Sequence, residues 1–303
     1  MAHHASSVLE FDRVTKRFGQ TVALDDLSMT LQQGEVVGLL GSNGAGKTTA
    51  LRVLLGLIKP TSGQATVYGY DSWRDPVAVH RRLAYVPSEF NVWPNLTGGQ
   101  ILDLLGAIYG GYDEEIRQHY TERFVFDPNK KGRTYSKGNR QKIALIAALM
   151  TRADLLVMDE PTSGLDPILE QEFQSLLREA KARGQTVLLS SHVLSEVETA
   201  CDRVAILRNG RLVEYGTLKE LRHLSARTVE AMYRGTPPVL DQVPGIEDIE
   251  IEDGLLRLQV TGSTDLLIKA LATSEITSLQ VREPTLEELF HSYYGEEPTR
   301  DQR

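Results

Sequence analysis

The sequence is poor in cysteine and has no long run of apolar residues. Cys201 is the only cysteine among 303 residues, which excludes a disulfide framework or a cysteine-based metal site and favours a reducing compartment. The longest apolar run, residues 143–150, has eight residues, whereas a membrane-spanning helix needs roughly 18. We therefore expect the chain on the cytosolic side, with any role at a membrane depending on a partner protein.

Clusters of positive charge are also missing. Lys and Arg number 33 against 41 Asp and Glu, which gives a net charge of −8. No run of basic residues is long enough to form a footprint for nucleic acid. We therefore expect no nucleic-acid partner.

A glycine-rich stretch, GSNGAGKTT at residues 41–49, stands between a buried strand pattern and a helix pattern. It matches the phosphate-loop pattern G-x-x-x-x-G-K-[ST], in which glycines let backbone N–H groups point at phosphate and the helix dipole adds positive charge. Lys47 is expected to reach the β- and γ-phosphates, and Thr48 to place its hydroxyl on Mg²⁺. The predicted nucleotide-binding residues are Gly41, Ser42, Asn43, Gly44, Ala45, Gly46, Lys47, Thr48 and Thr49.

Two carboxylates end the apolar strand pattern LLVMDE at residues 155–160. The carboxyl edge of a parallel sheet is where such a strand would meet the phosphate loop. Asp159 can then hold the metal through water, and Glu160 can polarise an attacking water. The alternative is that the two acids only cap a strand; together with the loop they predict hydrolysis.

Alternating strand and helix patterns predict a mainly parallel sheet with helices on its faces over residues 8–222. Residues 97–126 and 136–150 have helical patterns. From residue 223 the pattern changes, and a small α+β domain of about 80 residues is predicted for 223–303. Its predicted elements are strands at 227–233 and 276–282, two strands around a turn at 252–254, and helices at 264–272 and 285–293.

Further motifs resemble those of the ATP-binding cassette (ABC) ATPases. The stretch YSKGNRQKIALIAALM, beginning at Tyr135, resembles the LSGGQ signature, and PTSGLDP at 161–167 and SSH at 190–192 follow in the family's order. The resemblance covers about residues 8–222. It implies a P-loop NTPase (RecA-like) fold with an antiparallel β part and a helical subdomain at about 88–154. It also implies ATP and Mg²⁺ as ligands and a head-to-tail dimer with a second copy.

In that dimer the signature of one copy closes over the nucleotide of the other. The residues concerned are Ser136, Lys137, Gly138 and Asn139. Ser136 and Gly138 open a helix pattern, so a hydroxyl, backbone N–H groups and a dipole are available for a γ-phosphate. Taken alone, Ser136 is equally explained as a helix N-cap.

Three more residues take roles from the resemblance. His192 would contact the γ-phosphate and act in catalysis, although a histidine at a strand end is the alternative. Asp166 would link the two sites of the dimer, although a turn or helix-cap aspartate is the alternative. Phe18 would stack on adenine, and a core phenylalanine is the alternative.

The chain departs from the family's pattern in two places. The glutamine expected just after YVP at 85–87 is replaced by Ser88 and Glu89, and either could approach Mg²⁺. The signature has Tyr135, Lys137 and Asn139 where the family has Leu, Gly and Gln. Because the serine and the second glycine remain, we expect activity to be kept with a shifted rate.

One cassette, no membrane span and an added C-terminal domain resemble the separate ATPase subunits of exporters. The tail PTLEELFHSYYG at 284–295 is similar to that of ATPase subunits of ABC-2 type antibiotic and multidrug exporters, although an amphipathic last helix packed on its own domain explains it equally. The resemblance implies an integral-membrane permease as partner, docked near residues 88–105, and a location at the cytoplasmic face of the membrane.

Other functions remain as alternatives. An importer ATPase subunit usually carries a different regulatory extension. A soluble ABC-type ATPase acting on nucleic acid or ribosomes would be expected to have a long heptad insertion or a second cassette, and neither is visible. A GTPase or small-molecule kinase leaves the three resembling motifs unexplained, and NKKG at 129–132 lacks the aspartate of a guanine-reading loop.

Overall fold

The structure is a computed structural model, and it describes residues 7–151, 153–223, 226–240, 243–262 and 264–294. The chain divides into two units, Met1–Tyr215 and Gly216–Arg303. The division comes earlier than the predicted boundary at 222/223. Each unit is described by itself.

The first unit contains ten strands and seven α-helices within its described residues. In chain order they are β1 (Ser7–Phe18), β2 (Thr21–Gln32), β3 (Val36–Leu40), α1 (Lys47–Leu54), β4 (Ser62–Val67), β5 (Tyr70–Asp71), α2 (Pro76–His80), β6 (Leu83–Val86), α3 (Gly98–Ile108), α4 (Glu114–Arg123), α5 (Lys137–Leu149), β7 (Leu155–Asp159), α6 (Pro167–Ala182), β8 (Thr186–Ser191), α7 (Leu194–Ala200), β9 (Arg203–Arg208) and β10 (Arg211–Thr217).

A six-stranded sheet forms the centre of this unit, with the order β10-β9-β3-β8-β7-β6. Strand β3 runs parallel to β8 and β9, and β7 runs parallel to β6 and β8. Every residue of β3, β7 and β8 is buried, as expected for a parallel sheet covered on both faces. The carboxyl ends of β3, β7 and β8 therefore meet at one edge of the sheet.

A second, antiparallel sheet has the order β2-β1-β4-β5. Its apolar side chains, including Leu9, Phe11 and Leu27, belong to the same buried cluster as Val37, Leu39 and Leu51. The two sheets thus share a core with α1, and the fold class predicted from the sequence, a mainly parallel sheet with an antiparallel β part, is confirmed.

The helical pattern over 97–126 corresponds to two separate helices, α3 and α4. Gly110 and Gly111 interrupt it with φ angles of 86° and 118°, a backbone conformation that ends a helix. Strands β4 and β5 and helix α2 were not predicted, since segments of two to six residues carry little periodicity.

The second unit is built from four strands and three helices within its described residues. They are α8 (Leu218–His223), β11 (Arg227–Arg234), β12 (Ile246–Glu252), β13 (Leu255–Val260), α9 (Asp265–Leu271), β14 (Glu275–Arg282) and α10 (Leu286–Tyr294). The sheet order is β12-β13-β11-β14, and the strand pairs are antiparallel. Leu256, Leu258 and Leu267 are among its buried core residues, so the predicted α+β class is confirmed.

Across the described part of the chain, no helix combines the length and the hydropathy needed to cross a membrane.

Candidate nucleotide site

The glycine-rich loop joins β3 to α1 at the carboxyl edge of the central sheet. Gly44 and Gly46 have φ angles of 84° and 110°, which residues other than glycine rarely adopt. At Gly46 an added Cβ would also lie 2.6 Å from the Ala23 carbonyl oxygen. Gly41 is not among the residues with positive φ, so the loop requires the left-handed conformation of glycine at Gly44 and Gly46.

Lys47 lies buried inside the loop. Its Nζ donates to the carbonyl oxygens of Gly41, at 2.6 Å, and Ser42, at 3.2 Å. Burial lowers the pKa of Lys47, while the nearby carboxylates of Glu160 and Asp159 act to raise it. The ammonium group is therefore held beside two acids at the mouth of the loop.

Asp159, at the end of β7, accepts hydrogen bonds from two hydroxyl groups. Thr48 Oγ1 lies 3.1 Å from Asp159 Oδ2, and the Ser190 hydroxyl donates to Asp159 Oδ1 at 2.6 Å. The pairing of β7 with β8 sets Asp159 opposite Ser190. This cluster consists of oxygen atoms with one buried carboxylate, and such donors suit Mg²⁺. The donor chemistry of Thr48 and Asp159 therefore fits the metal that the sequence predicts.

Glu160 follows Asp159 with an uncommon backbone. Its φ angle is 47°, a left-handed conformation that costs roughly 1–2 kcal/mol for a residue with a side chain. The Glu160 N–H is shared between the backbone and hydroxyl oxygens of Ser190, both at 3.1 Å. These bonds hold the strained residue in place.

The Glu160 carboxylate joins the other polar groups of the site. Its Oε1 lies 3.3 Å from His192 Nδ1 and 3.9 Å from Lys47 Nζ. The structure thus brings three sequence-predicted residues together around one carboxylate oxygen. A simple strand cap would not require a lysine and a histidine as neighbours.

A cavity of about 170 Å³ lies over the loop. It is lined by Ala23, the loop residues 42–49 and Glu160. Phe18 is not among the lining residues; it is 49% exposed, and Lys16 Nζ lies 4.9 Å from its ring centroid. The alternative interpretation of Phe18 as a core residue is therefore wrong.

The signature residues and Asp166 lie outside this lining. Ser136 caps α5, since its exposed hydroxyl oxygen accepts from the Asn139 N–H at 3.3 Å. Asp166 caps α6 by accepting from the N–H groups of Ile168 and Leu169. Within one chain both residues thus act as helix caps, the local role that each pattern allowed.

Two of the three departures in the signature, Tyr135 and Lys137, make specific contacts. Tyr135 is buried, its hydroxyl donates to the Asp127 carbonyl oxygen at 2.7 Å, and its ring centroid lies 5.3 Å from that of Phe126. Gly98 makes room for this ring, because a Cβ there would lie 2.4 Å from the Tyr135 hydroxyl oxygen. Lys137 Nζ lies 3.3 Å from Ser163 Oγ.

Ser88 and Glu89 follow β6. Ser88 is half-buried and Glu89 is exposed. Neither side chain has a hydrogen-bond partner among the residues that the structure describes, so the choice between them for the metal stays a prediction.

Sequence reasoning missed three buried polar residues beside the site. They are Ser190, Gln141 and Glu196. Glu196 Oε2 accepts from the hydroxyls of Thr162 and Ser191 at 3.0 and 3.2 Å, and burial raises its pKa. For Ser190 the available signal was a polar residue at the end of an apolar strand pattern, whereas Gln141 stands among the polar residues 139–142 and gave no such signal.

Comparison with known families gives two matches along the chain. Residues 24–163 match the ABC transporter family, and residues 216–294 match the C-terminal domain of ATP-binding proteins like DrrA1-3. Three similar proteins are the linearmycin resistance ATP-binding protein LnrL of Bacillus subtilis (30% identical), the bacitracin transport ATP-binding protein BcrA of Bacillus licheniformis (33%) and the daunorubicin resistance ATP-binding protein DrrA3 of Streptomyces coeruleorubidus (33%). The alignments cover 95–97% of this chain and 98% of each relative.

Solved structures agree with the fold. An ATP-binding subunit of an ABC transporter superposes with a TM-score of 0.67 at 31% identity, covering 71% of this chain and 92% of the other. A dimeric cassette bound to ADP and phosphate has a TM-score of 0.62 at 23% identity, covering 69% and 98%. The chain therefore belongs to the family of ABC transporter ATP-binding proteins, which bind ATP and couple its hydrolysis to transport.

Proposed function

We propose that ATP is hydrolysed at the described cluster, with Glu160 polarising the attacking water. The observation that carries this role is the shared position of the Glu160 carboxylate, 3.3 Å from His192 Nδ1 and 3.9 Å from Lys47 Nζ. Lys47 then binds the β- and γ-phosphates together with the loop N–H groups, and His192 orients the γ-phosphate or the water. The remaining loop residues, Gly41–Thr49, bind the phosphates through their backbone.

The same proposal assigns Mg²⁺ to Thr48 and Asp159. The Thr48 hydroxyl would ligate the ion, and Asp159 would hold it through water, with Ser88 or Glu89 completing the set. When bound, the ion neutralises charge on the phosphates. The Ser190 hydroxyl, which donates to Asp159 at 2.6 Å, fixes the orientation of that carboxylate.

A second copy of the chain completes the site in this proposal. Ser136, Lys137, Gly138 and Asn139 are exposed or half-buried at the start of α5, so they are accessible to the nucleotide of another copy. Asp166 would communicate between the two sites, and the exposed ring of Phe18 would stack on adenine. A dimeric cassette with the same fold supports this arrangement.

We further propose that the dimer drives a membrane permease that exports an antibiotic or another drug-like compound. Support comes from three relatives named for linearmycin resistance, bacitracin transport and daunorubicin resistance, which align over nearly their whole length. The permease would dock near residues 88–105, where Trp93 and Leu104 are exposed apolar side chains. The chain would then lie at the cytoplasmic face of the membrane.

The domain organisation follows the same proposal. Residues 8–222 would form the nucleotide-binding domain, with its helical subdomain at about 88–154, and residues 223–303 an accessory domain. The two family matches, over 24–163 and 216–294, support two functional parts.

The test is to recover the chain from detergent-solubilised membranes of its source and to assay the recovered complex for ATP hydrolysis. We expect a permease with several membrane spans to be recovered, and hydrolysis to be lost in Glu160→Gln. Glu122→Gln, which changes an exposed acid on α4, serves as the matched control and should keep full activity.

Two results would overturn parts of this proposal. Recovery of only soluble proteins or nucleic acid, with the same dependence on Glu160, would remove the transport role and keep the ATPase chemistry. Brisk hydrolysis by Glu160→Gln would remove the role of Glu160.

A further inference from the structure

A single buried amide joins three segments of the first unit that lie far apart in sequence. The Gln141 side chain, on the second turn of α5, is only 2% exposed. Its Nε2 donates to the carbonyl oxygens of Pro87 and Pro161, each at 3.2 Å. A glutamine amide has two N–H donors, and both find an acceptor here.

Both acceptors are adjacent in sequence to residues of the proposed site. Pro161 directly follows Glu160, and Pro87 directly precedes Ser88, where the metal-binding prediction begins. Gln141 therefore links helix α5, which begins with the signature residues and is called the signature helix below, to Pro161 and to the segment that follows β6. No other described side chain donates to both of these carbonyls.

The position after Glu160 needs restraint. Glu160 has a φ angle of 47°, and a strained backbone persists only where its surroundings hold it on both sides. On the upstream side, the Glu160 N–H bonds to Ser190. On the downstream side, the Pro161 carbonyl accepts from Gln141.

The first turns of α5 also pack on the segment that follows Glu160. A Cβ on Gly138 would lie 2.5 Å from the Gly164 carbonyl oxygen, so the signature glycine is in close contact with this segment. Lys137 Nζ reaches Ser163 Oγ at 3.3 Å. Consequently a displacement of α5 would be transmitted to the segment beginning at Pro161, with Gln141 as the contact nearest to Glu160.

We infer that Gln141 is a positioning residue for hydrolysis: its amide fixes Glu160 through Pro161 and couples that position to the signature helix. This inference rests on the proposed role of Glu160. Gln141 does not line the cavity over the loop, and Lys47 and Thr48 bind through other contacts. Its loss should therefore lower kcat and leave nucleotide affinity unchanged.

The experiment compares Gln141→Met with Gln185→Met in the recovered permease complex. Methionine keeps the length of the side chain and removes the donors. Gln185 is a matched control, because it is also buried and its Nε2 donates to the Ala153 carbonyl oxygen at 2.8 Å. Ala153 precedes β7, whereas Asp159 ends that strand, so the control lies at the opposite edge of the sheet.

We expect kcat to fall about tenfold in Gln141→Met, the effect of losing two net hydrogen bonds. KM for ATP, and ADP affinity measured by calorimetry, should stay within about twofold because the phosphate loop is untouched. Gln185→Met should lower the unfolding temperature and leave kcat within about twofold. Unchanged kcat in Gln141→Met, or a parallel loss of ADP affinity, would overturn the inference.

A second variant tests the inference through the pH dependence of kcat, which a merely structural role of Gln141 would not change. Gln141→Glu keeps the shape but turns a carboxylate toward two carbonyl oxygens at neutral pH. Protonation restores one donor, so its kcat relative to the unsubstituted chain should rise as pH falls from 8 to 6, since burial raises the pKa of such a carboxyl group. A flat ratio across this range would contradict the inference.

The Glu160→Gln variant separates the two proposals. If it is inactive and Gln141→Met is fully active, the positioning inference fails and the proposed function stands. If Glu160→Gln hydrolyses ATP briskly, the role of Glu160 fails, and the inference about Gln141 fails with it.

Discussion

The two units of the chain differ in what they bury. The first unit buries polar side chains, and most of them lie at the carboxyl edge of its central sheet. In the second unit, the fully buried side chains among the described residues are all apolar. The buried polar residues at the edge of the sheet are Lys47, Gln141, Asp159, Thr162, Ser190, Ser191 and Glu196.

This difference separates a part that performs chemistry from a part with an ordinary core. Burying a polar group costs about 1–3 kcal/mol unless it is hydrogen-bonded. In the first unit these groups bond to one another, as Ser190 does to Asp159 and Thr162 to Glu196. Such a cluster is retained where its polarity has a use, and the use proposed for it here is hydrolysis.

The largest difference between the units is expected from removing one acid in each. Glu160→Gln should lower kcat by roughly 100-fold to 10 000-fold, the range for loss of a general base. Glu250→Gln, which changes an exposed acid on β12 of the second unit, should leave kcat unchanged. Phosphate release by the complex measures both, and equal losses would contradict the separation.

Truncating a core side chain of the second unit should have the opposite effect to Glu160→Gln. It should lower stability and leave nucleotide binding unchanged. Leu258 is 1% exposed on β13, and Leu258→Ala should cost about 2–5 kcal/mol because it leaves a cavity. Thermal unfolding and ADP titration of the same sample test this. A fall in ADP affinity would show that the apolar core also supports the site.

Glycine substitutions should distinguish a crowded turn from an open one. Gly46→Ala combines a φ angle of 110° with a Cβ 2.6 Å from the Ala23 carbonyl oxygen, so we expect a cost of about 3 kcal/mol and loss of ADP binding. Gly235 in the second unit has a φ angle of 77° but nothing within 4 Å of an added Cβ. Gly235→Ala should cost about 1 kcal/mol, as measured by denaturant unfolding.

The smallest expected effect is on the pH dependence of stability, where one glutamate in each unit responds in the opposite direction. Burial raises the pKa of Glu196, so its neutral form is favoured in the folded state. The stability it contributes is complete below its ordinary pKa of 4.5 and is lost as pH rises through the folded pKa. Glu196→Gln should therefore raise the unfolding temperature at pH 8 by about 2–4 °C, and the gain should vanish near pH 4.

Glu288 in the second unit responds in the other direction. Its hydrogen bonds from Arg282, at 2.7 and 2.8 Å, lower its pKa to about 2. The stability it contributes is present above its ordinary pKa and is lost as pH falls toward 2. Both groups of this pair are partly exposed, so the effect is small. Unfolding temperatures of Glu288→Gln between pH 7 and pH 3 test the sign.

Much of the site could be predicted because its motifs are contiguous. The loop between β3 and α1 carries its ligand chemistry in nine neighbouring residues, and LLVMDE ends where the strand ends. The fold class could be predicted because strand and helix periodicities are local, and the family because its motifs resemble those of ABC ATPases residue by residue. Phe18 required the structure, because a single aromatic residue reads as core or surface until its exposure is known.

Other features depend on residues that are distant in sequence. Two prolines separated along the chain, Pro87 and Pro161, both accept hydrogen bonds from the Gln141 side chain. The break between α3 and α4 at Gly110 and Gly111 was also missed, because helix-forming residues continue on both sides. Tertiary packing decides both features, and it cannot be read from the local sequence pattern.

The sequence by itself determined the phosphate loop and the order of the strand and helix that flank it, and it offered helix caps at Ser136 and Asp166 as one of two interpretations of each residue. These depend on neighbouring residues and on the backbone N–H groups that follow them. Only the tertiary structure decided that Ser190 orients Asp159 and that Gln141 lies behind Glu160. Strand register and helix packing bring these groups together, and neither leaves a continuous pattern along the chain.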